Sequence, residues 1–117
     1  MSNQRRAFRV ADKIRTTIAL QLQRVADPRF HLVTITSVVV SPDLRYAKVY
    51  WVVSGEKERI EEVSEAFETA NSIFKKAVGK ELGVRYNPDI EFFYDDTLET
   101  VEEVERLFQK VRAGSRD

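Results

Sequence analysis

The sequence predicts an α+β domain in which helices pack on one face of a small sheet. Apolar residues recur at steps of three and four in the first, middle and last parts of the chain, which indicates amphipathic helices. Segments that are rich in β-branched residues, or that alternate strictly, lie between them and indicate strands. The predicted order is helix, strand, strand, a long helical stretch, strand and helix, which is typical of a two-layer sandwich.

Size and composition fit a single domain. The chain has 117 residues, of which 43% are hydrophobic and 32% are charged, so it can bury a core beneath a strongly ionic surface. The absence of cysteine excludes disulfide scaffolds, thiolate zinc sites and thiol chemistry. No apolar run is long enough to span a membrane and no secretory signal is visible, so we expect a cytoplasmic protein with no membrane partner.

The N-terminal half predicts one helix and a hairpin. An apolar helical stripe covers about residues 3–26, and Asp27-Pro28 ends it because the residue before a proline avoids the α region. Residues 32–40 and 44–53 predict two strands. Ser41-Pro42-Asp43 between them has turn chemistry, which favours an antiparallel hairpin.

The C-terminal half predicts a long helical stretch that opens at Ser54-Gly55 and ends at Gly83. Asn71-Ser72 are weak helix formers inside it, so one straight helix and two helices meeting at a kink both remain open. A third strand follows, and a last helix is predicted with Asp96 as its N-cap. We expect one domain over residues 1–112 and a frayed tail over residues 113–117.

Basic and acidic residues are segregated along the chain, although 19 of each give a net charge of zero. Residues 1–30 carry a net charge of +5 and residues 73–88 carry +3, whereas residues 89–105 hold eight acids and no base. Because the local potential steers a polyanion, a folded chain of this kind can still offer nucleic acid a basic face.

Motifs for catalysis are missing. The chain has no glycine-rich phosphate loop and no nucleophile–base pair, and its one histidine, His31, stands at the entry to the first strand. The acids Asp89, Glu91, Asp95 and Asp96 could be imagined around a hard cation, but strand and cap roles explain them better. We therefore expect neither an enzyme nor a cofactor.

Two basic clusters are candidates for binding RNA phosphates, although ordinary solvated faces would look the same. The first lies on the N-terminal helix and the second follows the weak helix formers, with two further bases on the second strand. The candidates are Arg6, Arg9, Lys13, Arg45, Lys48, Lys75, Lys76, Lys80 and Arg85. Tyr46 and Tyr50 alternate with the strand bases and would suit base stacking, whereas Trp51 falls on the core face.

Several segments resemble the ribosome-binding factor A family, and the resemblance covers about residues 5–108. The matching segments, in chain order, are Arg6 to Ile14, Asp27-Pro28-Arg29, Val33 to Val38, Ser41-Pro42-Asp43-Leu44 with Ala47 to Tyr50, and Pro88 to Asp96.

The resemblance implies a type II KH-like fold, α-β-β-α-(kink)-α-β with a C-terminal helix and a three-stranded sheet. In that family an Ala-x-Gly kink replaces the usual RNA-binding loop; Ala70-Asn71-Ser72 stands in its place here, so Ser72 joins the candidate RNA-binding residues. Serine can also disrupt a helix, although it lacks glycine's room for close approach.

The function that the resemblance implies is ribosome assembly. A member of this family binds free or immature 30S subunits, contacts 16S rRNA, promotes late 16S rRNA maturation including 5′-end processing, and supports growth in the cold. Ribosomal proteins are further expected partners, and we expect a monomer. The alternative is a protein-interaction module of the same fold that does not bind RNA.

Overall fold

The sheet has three strands in the spatial order β1-β2-β3. The computed structural model describes residues 3–83 and 87–114. Strand β1 (Val33–Val40) pairs antiparallel with β2 (Tyr46–Val53), and β3 (Asp89–Tyr94) pairs parallel with β2. The predicted hairpin is therefore confirmed, and β3 joins the sheet through a helical crossover.

Within residues 3–83 and 87–114, three α-helices accompany the sheet. They are α1 (Asn3–Arg24), α2 (Glu58–Leu82) and α3 (Thr97–Gly114), and a short 3-10 turn (Pro28–Phe30) links α1 to β1. Helix α3 continues two residues into the segment expected to be a tail, and residues 115–117 lie outside the described part of the chain.

Helices α1 and α2 pack side by side on one face of the sheet. The core between the two layers contains a cluster of aromatic rings, in which Phe67 of α2 stacks on Phe92 of β3 with centroids 4.3 Å apart. Phe74, about two helical turns further along the same face of α2, and Trp51 of β2 are almost completely buried in the same cluster. The assignment of Trp51 to the core is confirmed.

Helix α2 is one uninterrupted helix from Glu58 to Leu82, so of the two alternatives that the sequence left open at Ala70-Asn71-Ser72 the single helix is found. A tertiary contact compensates for the weak helix former, because the Asn71 amide donates a hydrogen bond of 3.2 Å to the carbonyl of Ile90 in β3. Gly83, with φ of 85°, ends the helix as predicted, since glycine adopts this left-handed conformation without strain.

Both strands of the hairpin begin later than predicted. Leu32 and Leu44, the first residues of the two predicted strands, have φ of 62° and 63°, which lies in the left-handed region rather than in the strand region. Leu44 nevertheless buries its side chain in the core. Leu44 therefore belongs to the turn between β1 and β2, although its apolar character alone predicts that it begins the strand.

Helix α3 differs from the prediction that the helices pack on the sheet. Every side chain from Glu99 to Arg112 is exposed, including those of the apolar stripe that predicted the helix. Asp96 stands at the predicted N-cap position, because α3 begins at Thr97 and the Asp96 carbonyl accepts the first helical hydrogen bond, 3.0 Å from the Thr100 amide. The side-chain bond to the first turn comes from Asp95, whose carboxylate accepts a hydrogen bond of 3.0 Å from the Thr97 amide.

The contact between Asn71 and Ile90 is expected to stabilise the domain. Replacing Asn71 with alanine leaves the Ile90 carbonyl without this donor and lowers the free energy of unfolding by about 1 kcal/mol. Urea denaturation monitored by circular dichroism measures the change. The adjacent Ser72→Ala is the control, because Ser72 is exposed and its replacement changes stability by less than about 0.5 kcal/mol. Equal stability of the two variants would contradict this role of Asn71.

Candidate nucleic-acid interface

Basic side chains from α1 and α2 converge on one groove. Arg9, Lys13 and Arg24 lie on one face of α1, because the steps between them are close to whole helical turns. Lys76 and Lys80 are four residues apart on α2 and face the same groove. The core contacts that hold α2 beside α1 therefore also bring these two distant basic segments together.

The groove is an open cleft of about 810 Å³ along the two helices. Its wider lining includes exposed portions of Leu20 and Ile73, which place some apolar surface between the charges. Thr16 and Thr17 also line it, and their hydroxyls donate hydrogen bonds to backbone carbonyls one turn earlier, which leaves the hydroxyl oxygens as acceptors. The cleft thus combines charge, apolar surface and hydrogen-bonding groups.

The five groove cations are free to meet an anion. Among residues 3–83 and 87–114, none of them is in an ion pair. Two carboxylates, Asp12 and Glu81, share the lining, so the groove has a net charge of +3. The two basic segments therefore converge on one groove, with a smaller excess of positive charge than five cations alone would give.

Other cations are committed to the fold. Arg29 pairs with Asp27 at 2.7 Å and, mainly through its side-chain hydrogen bonds, holds the pKa of the Asp27 carboxyl below its usual value. Arg59 of α2 donates to the backbone carbonyls of Arg29 and His31 and so ties the 3-10 turn to α2. The side chains of Arg29 and Arg59 therefore stabilise the 3-10 turn and its contact with α2.

Several predicted binding residues lie outside the groove lining. Lys75 points to β3, where its ammonium group pairs with Asp89 at 2.9 Å. Ser72 is exposed on α2, and Arg6 is exposed on α1 about one turn before Arg9. Lys75 and Lys76 are adjacent in the sequence, but Lys75 faces β3 and Lys76 faces the groove.

The predicted bases of the second strand segment belong to the other side of the sheet. Lys48 lies on the outward face of β2, 5.9 Å from the centre of the Phe93 ring, and Tyr46 and Tyr50 share that face. Arg45 stands just before β2, and its Nε lies 4.0 Å from Oδ2 of Asp43. These positions therefore do not join the α1–α2 groove, and the remaining candidate, Arg85, falls outside the described residues.

Among the cations of the groove, Arg24 is the one that the sequence reasoning missed. It stands eleven residues after Lys13, which is close to three helical turns, so the same periodicity that grouped the other α1 bases also predicts its face.

The acids at the end of β3 form structural hydrogen bonds. Asp95 accepts from the hydroxyls of Thr97 and Thr36, and these bonds hold the pKa of its carboxyl below the usual value. The Tyr94 hydroxyl donates to Glu99 at 2.8 Å, which links β3 to α3. Within the described ranges, no three acidic or histidine side chains are grouped closely enough to hold a metal ion.

The two-layer fold, with its parallel third strand and paired helices, defines a KH-like domain. The family model for ribosome-binding factor A matches residues 6–108. A ribosome-binding factor A of Desulfatibacillum aliphaticivorans is 37% identical over 107 residues, which cover 91% of this chain and 87% of that protein. The chain belongs to the ribosome-binding factor A family.

Solved structures of the family share the fold. The solution structure of a Thermotoga maritima protein assigned as a ribosome-binding factor A matches with a TM-score of 0.69 at 31% identity, over 75% of this chain and 85% of that one. A homology model of the Thermus thermophilus factor, fitted into a cryo-EM map of its complex with the 30S subunit, matches with a TM-score of 0.61 at 25% identity, over 73% of this chain and 90% of that one. In the part of the chain that the structure describes, no helix is long and apolar enough to cross a membrane.

The link between Tyr94 and Glu99 is expected to be visible as a shifted titration. Burial, helped by the hydrogen bond to Glu99, raises the pKa of the Tyr94 hydroxyl to about 12, compared with about 10 for an unperturbed tyrosine. The neutral hydroxyl therefore contributes stability that is complete below the unfolded pKa and is lost as the pH rises through the folded pKa. The ultraviolet absorbance of phenolate measures this, and Tyr94→Phe should remove the component that titrates near 12. An unchanged titration curve in that variant would contradict the assignment.

Proposed function

We propose that this chain binds the 30S ribosomal subunit and that the α1–α2 groove contacts phosphates of 16S rRNA. The observation that carries the proposal is the set of five unpaired cations, supplied by two helices, around one open groove. Membership of the ribosome-binding factor A family supports the choice of RNA, and so does the Thermus relative that was fitted into a map of its 30S complex.

Recognition in this proposal depends on shape more than on base sequence. Lysine and arginine side chains on two rigid helices match phosphates at fixed spacings, and RNA helices are recognised mostly through phosphates and 2′-hydroxyls. The threonine hydroxyl oxygens can accept hydrogen bonds from 2′-hydroxyls. Asp12 and Glu81 repel a phosphate placed beside them, so they favour RNA whose backbone follows the cations and avoids the carboxylates.

The biological role that follows is assistance in small-subunit assembly. The chain acts as a binding protein in late 16S rRNA maturation, including processing of the 5′ end, and supports growth in the cold. Arg9, Lys13, Arg24, Lys76 and Lys80 make the main phosphate contacts, and Arg6 extends the basic face of α1 by one turn. Arg45 and Lys48 lie on another surface and are not needed for this contact.

Two neighbouring lysines allow a matched test of the groove. Lys76→Ala removes an unpaired groove cation and should lower 30S affinity by about fivefold, which corresponds to the loss of about 1 kcal/mol for one charged contact. Lys75→Ala makes the same change in net charge, but it removes a cation that already pairs with Asp89, so the affinity should stay within about twofold of the wild type. Co-sedimentation with purified 30S, 50S and 70S particles measures both, and retention on 30S alone is expected. Equal losses in the two variants would place the RNA elsewhere.

Salt dependence tests whether the groove contacts are electrostatic. If all five cations meet phosphates of protein-free 16S rRNA, the logarithm of the binding constant should fall with the logarithm of salt concentration at a slope of about −3.5. The double variant Lys13→Ala/Lys76→Ala should reduce the magnitude of that slope by about 1.4, because two counterion-releasing contacts are lost. A wild-type slope near zero, or an unchanged slope in the double variant, would contradict phosphate binding by the groove.

A further inference from the structure

The outer face of the sheet, opposite α1 and α2, is rich in large apolar side chains. Tyr46 is 56% exposed and Val39 is 55% exposed on it, and the rings of Tyr50 and Phe93 lie 5.8 Å apart. Within residues 3–83 and 87–114, no helix covers this face. A sheet face in contact with water normally alternates to polar residues at such positions, so this face is a surface for a partner.

Helix α3 exposes a second apolar surface. Val101, Val104, Phe108 and Val111 follow one another at steps of three, four and three, and Leu107 widens this stripe. These five side chains are between 43% and 68% exposed. An isolated helix of 18 residues is marginal in water, so covering the stripe stabilises α3.

The link between β3 and α3 brings these two surfaces within reach of each other. Only Asp95 and Asp96 separate the strand from the helix. A helix that turns back after so short a link packs along the strand it follows, and α1 and α2 already occupy one face of the sheet, so the outer face is the one left to it. The lengths also agree, because residues 101–111 of α3 span about 15 Å and residues 46–52 of β2 span about 20 Å.

The bases beside the stripe match acids of the outer face. Lys110 and Arg112 flank the stripe near the end of α3. If α3 runs antiparallel to β3, both lie about 20 Å from the link, which is the level of Asp89 and next to that of Glu91. The Asp89 and Glu91 side chains are exposed on the outer face, where Asp89 also pairs with Lys75.

The acids beside the stripe also fit this arrangement. Glu103 and Glu105 flank the middle of the stripe, and in the antiparallel arrangement they approach the level of Lys48, which projects from the outer face of β2. Arg106 lies on the opposite side of α3, where its guanidinium is 3.8 Å from Glu102, so it stays at the surface. The stripe and the bases and acids on its flanks therefore select the same orientation of α3.

We propose that, in the protein free of any partner, α3 folds back over the outer face of the sheet as a lid. The Asp95-Asp96 link is the hinge, and the structure holds the open position. Closure buries the stripe against the apolar residues of the outer face. It also covers Tyr46 and Tyr50, which could otherwise stack on RNA bases, and so leaves the α1–α2 groove as the surface open to RNA.

Site-specific photo-crosslinking identifies the surface that covers the stripe. A benzophenone amino acid replaces Phe108, within the stripe, and in a control protein it replaces the neighbouring Gln109, outside the stripe. Each purified chain is irradiated alone at low concentration and digested for mass spectrometry. The expected product is a crosslink within one chain from position 108 to residues 46–52 or 89–93, with little or none from position 109.

The other outcomes of this experiment overturn the proposal. A crosslink from position 108 between two chains would show that a second copy covers the stripe. A crosslink to α1 or α2 would place the helix on another surface, and no crosslink at all would show that the stripe stays open to water. Each outcome concerns the free chain, so none depends on binding to the 30S subunit.

The same two positions provide a matched pair for the shape of the molecule. The open structure has a Cα radius of gyration of 17.7 Å, whereas a compact chain of this length has about 13 Å. Phe108→Asp and Gln109→Asp each add one negative charge, but only Phe108 belongs to the stripe. In small-angle X-ray scattering, the wild type and Gln109→Asp should lie near the compact value and Phe108→Asp near the open one. Phe108 is exposed in the open structure, so its replacement leaves the core intact, which circular dichroism checks. Equal radii for the wild type and Phe108→Asp would overturn closure.

Discussion

The packing of α2 against the sheet is the constraint on which the basic groove depends. Phe67 and Phe74 are buried among the rings of Phe30, Trp51 and Phe92, and they fix both the position and the rotation of α2. With that face in the core, the flank of α2 that carries Ile73, Lys76 and Lys80 lies beside α1. The apolar core thus determines where the lysines of α2 point, and the groove charge is a consequence of core packing.

Ion pairing then decides which cations remain available. Lys75 follows Phe74 directly and is turned towards β3, where Asp89 neutralises it, whereas Lys76 is rotated by a further 100° or so and enters the groove. Arg29 and Arg59 are likewise occupied by a carboxylate and by backbone carbonyls. A charge count along the sequence treats all of these as equal, but only the unpaired ones can exchange counterions for phosphates at little cost.

Periodicity could predict most of the fold, because side chains that alternate or recur every three to four residues report the buried face directly. It placed Trp51 in the core and joined Arg9 to Lys13 on one helix face. It could not predict left-handed leucines at positions 32 and 44, since their conformation depends on the turn and not on hydrophobicity. Periodicity also could not show that the apolar residues of α3 are exposed. The same apolar pattern in a sequence is found whether the helix face is buried in the core or lies at the surface.

The segregation of basic and acidic residues along the chain fits the proposed binding to a ribonucleoprotein particle. A uniformly basic protein of this size would bind any RNA, because phosphate contacts carry no sequence information. Here the groove has a modest excess of +3, tempered by Asp12 and Glu81, while the acids of β3 and α3 oppose non-specific contact on another surface. In the proposed function, the cations of the groove therefore supply affinity for phosphates, and the acids of β3 and α3 contribute selectivity by opposing contact with RNA elsewhere on the protein.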